Sequence, residues 1–156
     1  MKYWKEALDL IHRVPSLSIG TTDKDGSPRV TPIGSLFLTE EGKGFYFEKL
    51  PQGLRENLDR DGRFFILAVR GGMLFWIKSL FAGKFSVFPA LTMTGKAGPR
   101  RQCTPEERKY FESRFGKFKG TKGYDILWKD MQMVRELNFD KIEPSNLSSM
   151  TSGLMK

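Results

Sequence analysis

The 156-residue sequence has very few of the residues that form disulfides or bind metals. It contains one cysteine, Cys103, and one histidine, His12. A single cysteine excludes a disulfide within the chain and is typical of a reducing compartment, so we predict a cytoplasmic protein. One histidine and one cysteine are also too few for an ordinary zinc site. The composition therefore disfavours a metal site.

Long uninterrupted apolar runs are also missing. The longest apolar segment, Met73 to Phe81, contains Lys78 and is too short to span a bilayer. We therefore expect no membrane partner. Residues 73–89 still allow several interpretations: a lid over a pocket, a subunit contact, a helix at a membrane surface, or simply a cover for the protein's own core or for a dimer partner.

Acidic residues are outnumbered by basic ones. The chain has 26 Lys and Arg against 18 Asp and Glu, which gives a net charge of +8. This excess favours anionic partners such as a phosphate-bearing cofactor, nucleic acid or anionic lipid. The plain alternative is a basic, soluble surface.

The 13 Phe, 4 Tyr and 3 Trp can supply either an aromatic core or a pocket that stacks on a flat ligand.

Hydrophobic periodicity and turn residues predict a mainly β protein with peripheral helices. We expect one domain over residues 1–144 and a flexible polar tail over 145–156. The predicted helices cover residues 2–14, 52–59 and 104–115, with a helical turn in 124–130. The predicted strands cover 17–22, 28–38, 45–47, 64–69, 90–97 and 131–142. Six short, mostly antiparallel strands would close into a small barrel.

The segment LSIGTTDKDGSPRVTPIG, residues 17–34, resembles the opening of the pyridoxamine 5'-phosphate oxidase-like flavoproteins, the FMN-binding split barrels. The later segments follow in the same order: Phe45-Tyr46-Phe47, Arg55-Glu-Asn-Leu, residues 62–69 and a Thr-Pro-Glu-Glu helix start. The resemblance covers about residues 5–144. It implies a six-stranded antiparallel split β-barrel and a homodimer with two FMN sites at the subunit interface.

The resemblance also implies which residues form the cofactor site. Arg29 matches the family's strand-two arginine, which holds the flavin phosphate, and the following peptide groups would border the flavin ring: Val30, Thr31, Pro32 and Ile33. Three further positions match the strand before the phosphate loop, and two cations lie close by: Tyr46, Phe47 and Glu48, then Lys49 and Arg55. A phosphate is commonly bound by Arg or Lys together with helix-terminal N–H groups, so the assignment is physically reasonable.

The sequence departs from the family pattern in two regions. Gln52 and Leu54 stand where the family has a Ser or Thr followed by Lys, and Arg55 could replace that lysine only if the loop shifts by one residue. Arg29 and Arg55 could also be ordinary solvated arginines. The Arg-His-Asp-Arg-type segment by which the pyridoxamine oxidase itself contacts its substrate has no counterpart after Met131. We therefore predict a relative with another small-molecule substrate.

The predicted function is an FMN-dependent oxidoreductase, with no catalytic residue indicated. Residues 95–101 could bind the phosphate of a second nicotinamide or deazaflavin cofactor, or could be a basic strand end. The alternatives are a cofactor-free, deazaflavin-binding or haem-binding module on the same barrel. Haem is disfavoured because only His12 is available. A nucleic-acid-binding barrel is less favoured, because Phe111 and Phe115 have the spacing of core residues.

Overall fold

The computed structural model of the chain describes residues 1–49 and 51–155. Within them, one antiparallel sheet has the strand order β2-β1-β5-β6-β7-β4-β3. Its strands are β1 (Leu17–Thr22), β2 (Pro28–Ile33), β3 (Leu36–Leu38), β4 (Lys43–Phe47), β5 (Arg63–Val69), β6 (Ala90–Gln102) and β7 (Met133–Pro144). The helices are α1 (Trp4–Arg13), α2 (Gln52–Arg60), α3 (Met73–Ala82), α4 (Pro105–Phe115), α5 (Lys122–Leu127) and α6 (Ser149–Ser152).

The sheet curls into a barrel because its two edge strands are consecutive in the chain. β2 ends at Ile33 and β3 begins at Leu36. Three residues span at most about 11 Å, so the two edges must lie close together. Among the described strands, β2 is nevertheless paired with β1 alone and β3 with β4 alone. The barrel is therefore split, as the sequence predicts.

The described strands number seven rather than the predicted six, because the expected strand over residues 28–38 is interrupted. Pro32 has no N–H to donate to a neighbouring strand. A Cβ at Gly34 would lie 3.3 Å from the carbonyl oxygen of Pro15. The Ser35 hydroxyl donates a hydrogen bond to the carbonyl oxygen of Phe47 at 3.0 Å. The chain is thereby redirected from the β1 edge of the sheet to the β4 edge.

Two clusters of buried side chains stabilise this fold. The larger cluster fills the barrel and lies under α1, whose contribution is Trp4, Ala7, Leu10 and Ile11. Leu8, on the same helix, is only partly buried and packs at the margin of the cluster. The smaller cluster lies under α4 and is mostly aromatic: Phe37, Phe45, Phe47, Phe111, Phe115 and Tyr124. Phe111 and Phe115 are thus core residues, as their spacing predicts.

The residues after β7 pack back onto the body of the protein. Thr151 is fully buried, and its hydroxyl accepts a hydrogen bond from the backbone N–H of Leu147 at 2.8 Å. The backbone N–H of Phe85 donates to the carbonyl oxygen of Met150 at 2.9 Å. Leu154 packs against the larger cluster. The flexibility expected for residues 145–156 stays a prediction, but residues 145–155 have these specific contacts.

The 73–89 segment begins with α3, which lies on the surface. Trp76 and Phe75 attach it to the body: the Trp76 indole N–H donates to the carbonyl oxygen of Arg70 at 3.1 Å, and the Phe75 ring stacks on Phe85 at 5.6 Å. Among the described residues, no helix is both long enough and apolar enough to cross a membrane.

Candidate functional site

β2 places the residues predicted to border a flavin ring at one edge of the sheet. Its side chains alternate, with Thr31 and Ile33 buried in the barrel and Val30 and Pro32 exposed. One side of the strand is hydrogen-bonded to β1, and the other has no strand partner in the described part of the chain. Backbone N–H and C=O groups on that free edge can therefore bind a ligand.

Arg29 lies near the start of β2 and against the first turn of α2. Its guanidinium donates to both carboxylate oxygens of Asp23, at 2.7 and 2.8 Å. A Cβ at Gly53 would lie 3.4 Å from the Cζ of Arg29, so the guanidinium lies at about van der Waals distance from the first turn of the helix. The hydrogen bonds from Arg29 and Asn57 lower the pKa of Asp23 from 3.8 to about 2. The ion pair is therefore complete at neutral pH.

Asn57 holds α2 against β1 and next to Arg29. Its side-chain amide donates to the Thr21 hydroxyl at 3.0 Å and to the Asp23 carboxylate at 2.7 Å. Asn57 is buried, and one turn later the Arg60 guanidinium donates to the carbonyl oxygen of Thr22. These bonds fix the position of the helix relative to β2.

The N-terminus of α2 has no negative group of its own. Its N-cap residue, Pro51, makes no side-chain capping bond, and the first turn contains no acidic residue. The partial positive charge at such a helix end favours an anion, particularly a phosphate. Gln52 donates to Glu56 at 2.7 Å and Leu54 is buried, so neither takes the place of the Ser/Thr and Lys usual in the family.

A second charged group surrounds Glu48, at the end of β4; we call it the Glu48 cluster. Arg135 donates to both Glu48 oxygens at 2.9 and 3.0 Å, and both side chains are 2% exposed. Arg100 Nε lies 3.1 Å and Arg55 Nε 3.9 Å from the same carboxylate, while Asp59 pairs with Arg135 at 2.7 Å. Three arginines and two carboxylates give the cluster a net charge of +1.

Tyr46 completes the Glu48 cluster by donating its hydroxyl to Glu48 at 2.5 Å. Burial raises the pKa of Tyr46 well above its ordinary value, and the neighbouring Glu48 charge adds to this effect. Burial alone would lower the pKa of Arg135, but hydrogen bonds to Glu48 and Asp59 outweigh it and raise the pKa. Tyr46 thus remains a neutral donor and Arg135 remains a cation.

Lys49 and α5 border a groove at the end of β2. The Lys49 ammonium donates to the carbonyl oxygen of Ile126 at 3.0 Å. The groove, which we call the β2–α5 groove, has a volume of about 200 Å³ and is lined by Pro32, Ile33, Gly34, Ser35, Phe47, Lys49, Leu127, Trp128 and Met131. A shallower groove of about 320 Å³ runs over β1, β2 and β5 and includes Arg29, Val30 and Phe65.

The structure divides the predicted site residues into two groups. Arg29 and the backbone of residues 30–33 lie at the open edge, whereas the side chains of Tyr46, Phe47 and Glu48 are buried. Arg55 donates to the carbonyl oxygen of Lys49 at 3.1 Å and faces the Glu48 cluster. Residues 53 and 55 are about 200° apart around α2, so Arg55 projects from the side of the helix opposite to the one that Arg29 contacts at Gly53.

Several residues that shape the site were not among those predicted. Asn57 lies in the Arg-Glu-Asn-Leu segment that supported the family resemblance, so a signal for it existed. Arg135 is a charged residue within an otherwise alternating apolar strand, which is a weaker signal. Its partner Glu48 is 87 residues away, and no sequence spacing indicates that pair.

The nucleic-acid alternative depends on eight Lys and Arg residues between Arg100 and Lys122, and most of them already have partners within the protein. Arg101 pairs with Glu107 and Glu136, each at 2.7 Å. The Arg114 guanidinium donates to the carbonyl oxygens of Leu36 and Val14, and burial lowers its pKa. Arg100 and Arg101 also pair with carboxylates, and phosphate binding by residues 95–101 stays a prediction.

His12 lies exposed in the last turn of α1. The described residues contain no group of three or more His, Cys, Asp or Glu side chains arranged to hold a metal ion. The single histidine therefore has none of the surroundings expected of a metal ligand.

Comparison with known proteins identifies the family. The sequence profile described as pyridoxamine 5'-phosphate oxidase matches residues 3–144. The chain therefore belongs to the pyridoxamine 5'-phosphate oxidase family, and the resemblance inferred from the sequence is confirmed. A search of curated protein sequences found no match.

Solved structures share the fold at low sequence identity. An FMN-binding protein of Syntrophomonas wolfei has a TM-score of 0.67 and 14% identity, covering 92% of this chain and 86% of its own. A Clostridium acetobutylicum protein related to general stress protein 26 has a TM-score of 0.62 and 12% identity, with 94% and 89% coverage. The haem storage protein of Vibrio cholerae has a TM-score of 0.58 and 17% identity, with 92% and 95% coverage. At these identities the likeness establishes the split-barrel fold.

Proposed function

We propose that this protein binds FMN between the N-terminus of α2 and the open edge of β2, and acts as a flavin-dependent oxidoreductase. One observation carries the proposal: the Arg29 guanidinium lies against Gly53 at an uncapped helix N-terminus, beside a free strand edge. FMN combines an anionic phosphate with a flat ring that has a polar edge. The helix end suits the phosphate and the strand edge suits the ring.

The phosphate would be held by Arg29 and by the backbone N–H groups at the start of α2. A guanidinium has five N–H donors, so Arg29 can keep its two bonds to Asp23 and still bind a phosphate oxygen. Asp23 and Asn57 would act as positioning residues, since they orient the arginine and the helix. Arg55 would add positive charge from the opposite side of α2.

The ring would lie along β2, with its polar edge on the backbone of residues 30–33. The β2–α5 groove has about 200 Å³, which is below the roughly 300–1,000 Å³ typical of ligand pockets. This groove therefore provides only part of a binding site for the ring. We infer that the remaining wall comes from a second copy of the chain, in a homodimer.

The outer face of the sheet supplies apolar surface for such a dimer. Val30 is 69% exposed and Phe65 is also exposed. Both residues pair with Gly20, which lies between them in the sheet and adds no side chain. A neighbouring subunit would remove this apolar strip from water, which favours association.

Bound FMN would supply the electron or hydride transfer to a small-molecule substrate. The residues of this chain would bind the phosphate, orient the ring and, with the second copy, exclude water. The Glu48 cluster would support the site indirectly, because Arg55 connects it to the backbone of Lys49 between β4 and α2.

The proposal is tested by titrating the purified apoprotein with FMN and following the quenching of flavin fluorescence. We expect saturation at one FMN per chain, a yellow protein that releases FMN on denaturation, and a dimer by light scattering. Anaerobic addition of NADH or NADPH should then bleach the bound flavin if either nicotinamide is the electron donor. A colourless protein that leaves flavin fluorescence unchanged contradicts the proposal.

Haem binding is the second candidate, because a haem storage protein shares the fold. The sequence offers only His12 as a histidine ligand, and it is exposed on α1. The same preparation distinguishes the two cofactors: a Soret band on addition of haemin that disappears in His12→Ala would favour haem over FMN.

A further inference from the structure

We propose that α3 docks this protein onto an anionic lipid bilayer, with its outer face in the interface between headgroups and acyl chains. This surface is independent of the FMN site. The outer face of α3 consists of five large apolar residues: Met73, Leu74, Ile77, Leu80 and Phe81. Phe81 is 90% exposed and Met73 is 79% exposed, and it is the contiguity of such residues that marks an interaction surface.

The five residues form one continuous stripe. At 100° per residue they cover about 120° of the helix circumference, the width of an ordinary apolar helix face. The opposite side of α3 carries Phe75, Trp76 and Ser79, of which Ser79 is buried. The helix is therefore already packed through one face, and a second apolar face points away from the protein.

The inner face is firmly attached, so the outer face is presented in a fixed orientation. The Trp76 indole donates to the carbonyl oxygen of Arg70, and the rings of Phe75 and Trp76 both contact Phe85. Gly72 precedes the helix and Gly83 follows it, and their positive φ angles of 99° and 63° separate the helix from the chain on either side. The ten-residue helix is about 15 Å long, which suits a helix lying in a membrane interface and not one that spans it.

The charge around α3 indicates what it docks to. The sequence has no Asp or Glu between Asp61 and Glu106, a segment that includes Lys78 and Lys84 next to the apolar stripe. Two carboxylates of α1, Glu6 and Asp9, line the cavity beside Arg70 and Val87, and Asp9 pairs with Arg70 at 2.7 Å. An apolar stripe with lysines at its margin is the pattern of interfacial helices: the apolar residues enter the bilayer and the ammonium groups bind lipid phosphates.

The same charges argue against α3 as a contact between two copies of the chain. A two-fold contact would place the Lys78 and Lys84 ammonium groups of both copies around one apolar patch. The segment that contains them has no carboxylate to neutralise them. Phe81 and Leu80 also extend into solvent, and a bilayer can deform to accommodate such side chains.

The test is flotation of the purified protein with vesicles of phosphatidylcholine alone and with vesicles containing one third phosphatidylglycerol. We expect flotation with the anionic vesicles and much less with the neutral ones. The double substitution Leu80→Ser/Phe81→Ser should lower the partition coefficient at least about tenfold, because two large apolar side chains no longer enter the bilayer. Ile126→Ser, at another exposed apolar residue on α5, should leave it unchanged.

The electrostatic part is tested by Lys78→Glu. Each basic residue near an anionic surface contributes about a fivefold increase in binding, so reversal of this charge should weaken flotation by about fivefold or more. Lys109→Glu on α4 is the matched control and should have a smaller effect.

The proposal is overturned if the native protein does not float with anionic vesicles, or if the α3 variants float as well as the native protein. It is equally overturned if Leu80→Ser/Phe81→Ser converts a dimer into a monomer in light scattering, because α3 would then be a contact between copies.

Discussion

The two charged regions beside α2 differ in how their charges are satisfied. In the Glu48 cluster, a buried carboxylate is bonded by a buried arginine and approached by two more arginines and a tyrosine. At the other region, exposed Arg29 has one carboxylate partner and an uncapped helix end next to it. A charge removed from water needs partners within the protein, whereas an exposed charge can still bind a ligand. We therefore propose a structural role for the Glu48 cluster and a ligand-binding role for the Arg29 region.

The largest expected effect is the loss of stability on removing the buried carboxylate of the Glu48 cluster. Glu48→Gln would remove the buried carboxylate that Arg135 and Arg100 share and would leave Arg135 only its pair with the exposed Asp59, so it should lower the free energy of unfolding by about 3–5 kcal/mol. Urea denaturation followed by circular dichroism measures it. Glu40→Gln, in an exposed pair with Lys43, is the control and should change stability little. Equal losses in both variants would mean that the Glu48 cluster is not the structural element we infer.

The exposed side is tested by Arg29→Ala, which should weaken FMN binding about fivefold to a hundredfold, since a charge-assisted bond to the phosphate is lost. Stability should change little, because the arginine is on the surface. Fluorescence titration gives the affinity. Arg13→Ala removes another exposed arginine–aspartate pair, at 2.7 Å, and should leave the affinity unchanged. Identical FMN affinities for the native protein and Arg29→Ala would remove Arg29 from the site.

A smaller change separates binding from stability at the same place. Gly53→Ala adds a Cβ at van der Waals distance from the Arg29 guanidinium. The methyl group takes space from the proposed phosphate and should weaken FMN binding several-fold, while raising helix stability by up to about 1 kcal/mol. Gly123→Ala on α5, where a Cβ meets nothing within 4 Å, should affect stability alone. Thermal unfolding and FMN titration of both variants check this. Unaltered FMN affinity in Gly53→Ala would argue that the phosphate lies elsewhere.

The smallest expected effect is the response of Asp23 to acid. Hydrogen bonds lower its pKa from 3.8 to about 2 in the folded protein, so the pair with Arg29 stabilises the fold above the unfolded pKa of 3.8. This contribution is lost as the pH falls from 3.8 through about 2. Asp23→Asn should flatten the dependence of stability on pH in that range. Carboxyl-carbon NMR titration gives the pKa directly, and a value near 3.8 would contradict the assignment.

Much of the fold could be predicted because local patterns and tertiary structure agree. The Thr104-Pro105 start of α4 is a capping box, confirmed by mutual bonds between Thr104 and Glu107. The strand and helix over residues 17–22 and 52–59 were also predicted close to their observed bounds. The break of the long second strand was not, because it depends on contacts of Gly34 and Ser35 with Pro15 and Phe47 that are distant in sequence.

The sequence by itself determined the family, because its motifs follow the family order along the chain. It also determined the positions of most strands and amphipathic helices, because these depend on neighbours only a few residues apart. It also provided Arg29 and the peptide groups of β2 as site candidates. Only the tertiary structure decided that Arg29 faces Gly53, that Arg55 turns to the opposite side of α2, and that Glu48 is enclosed by arginines. Those outcomes depend on long-range packing and on the cost of burying charge, which no local pattern encodes.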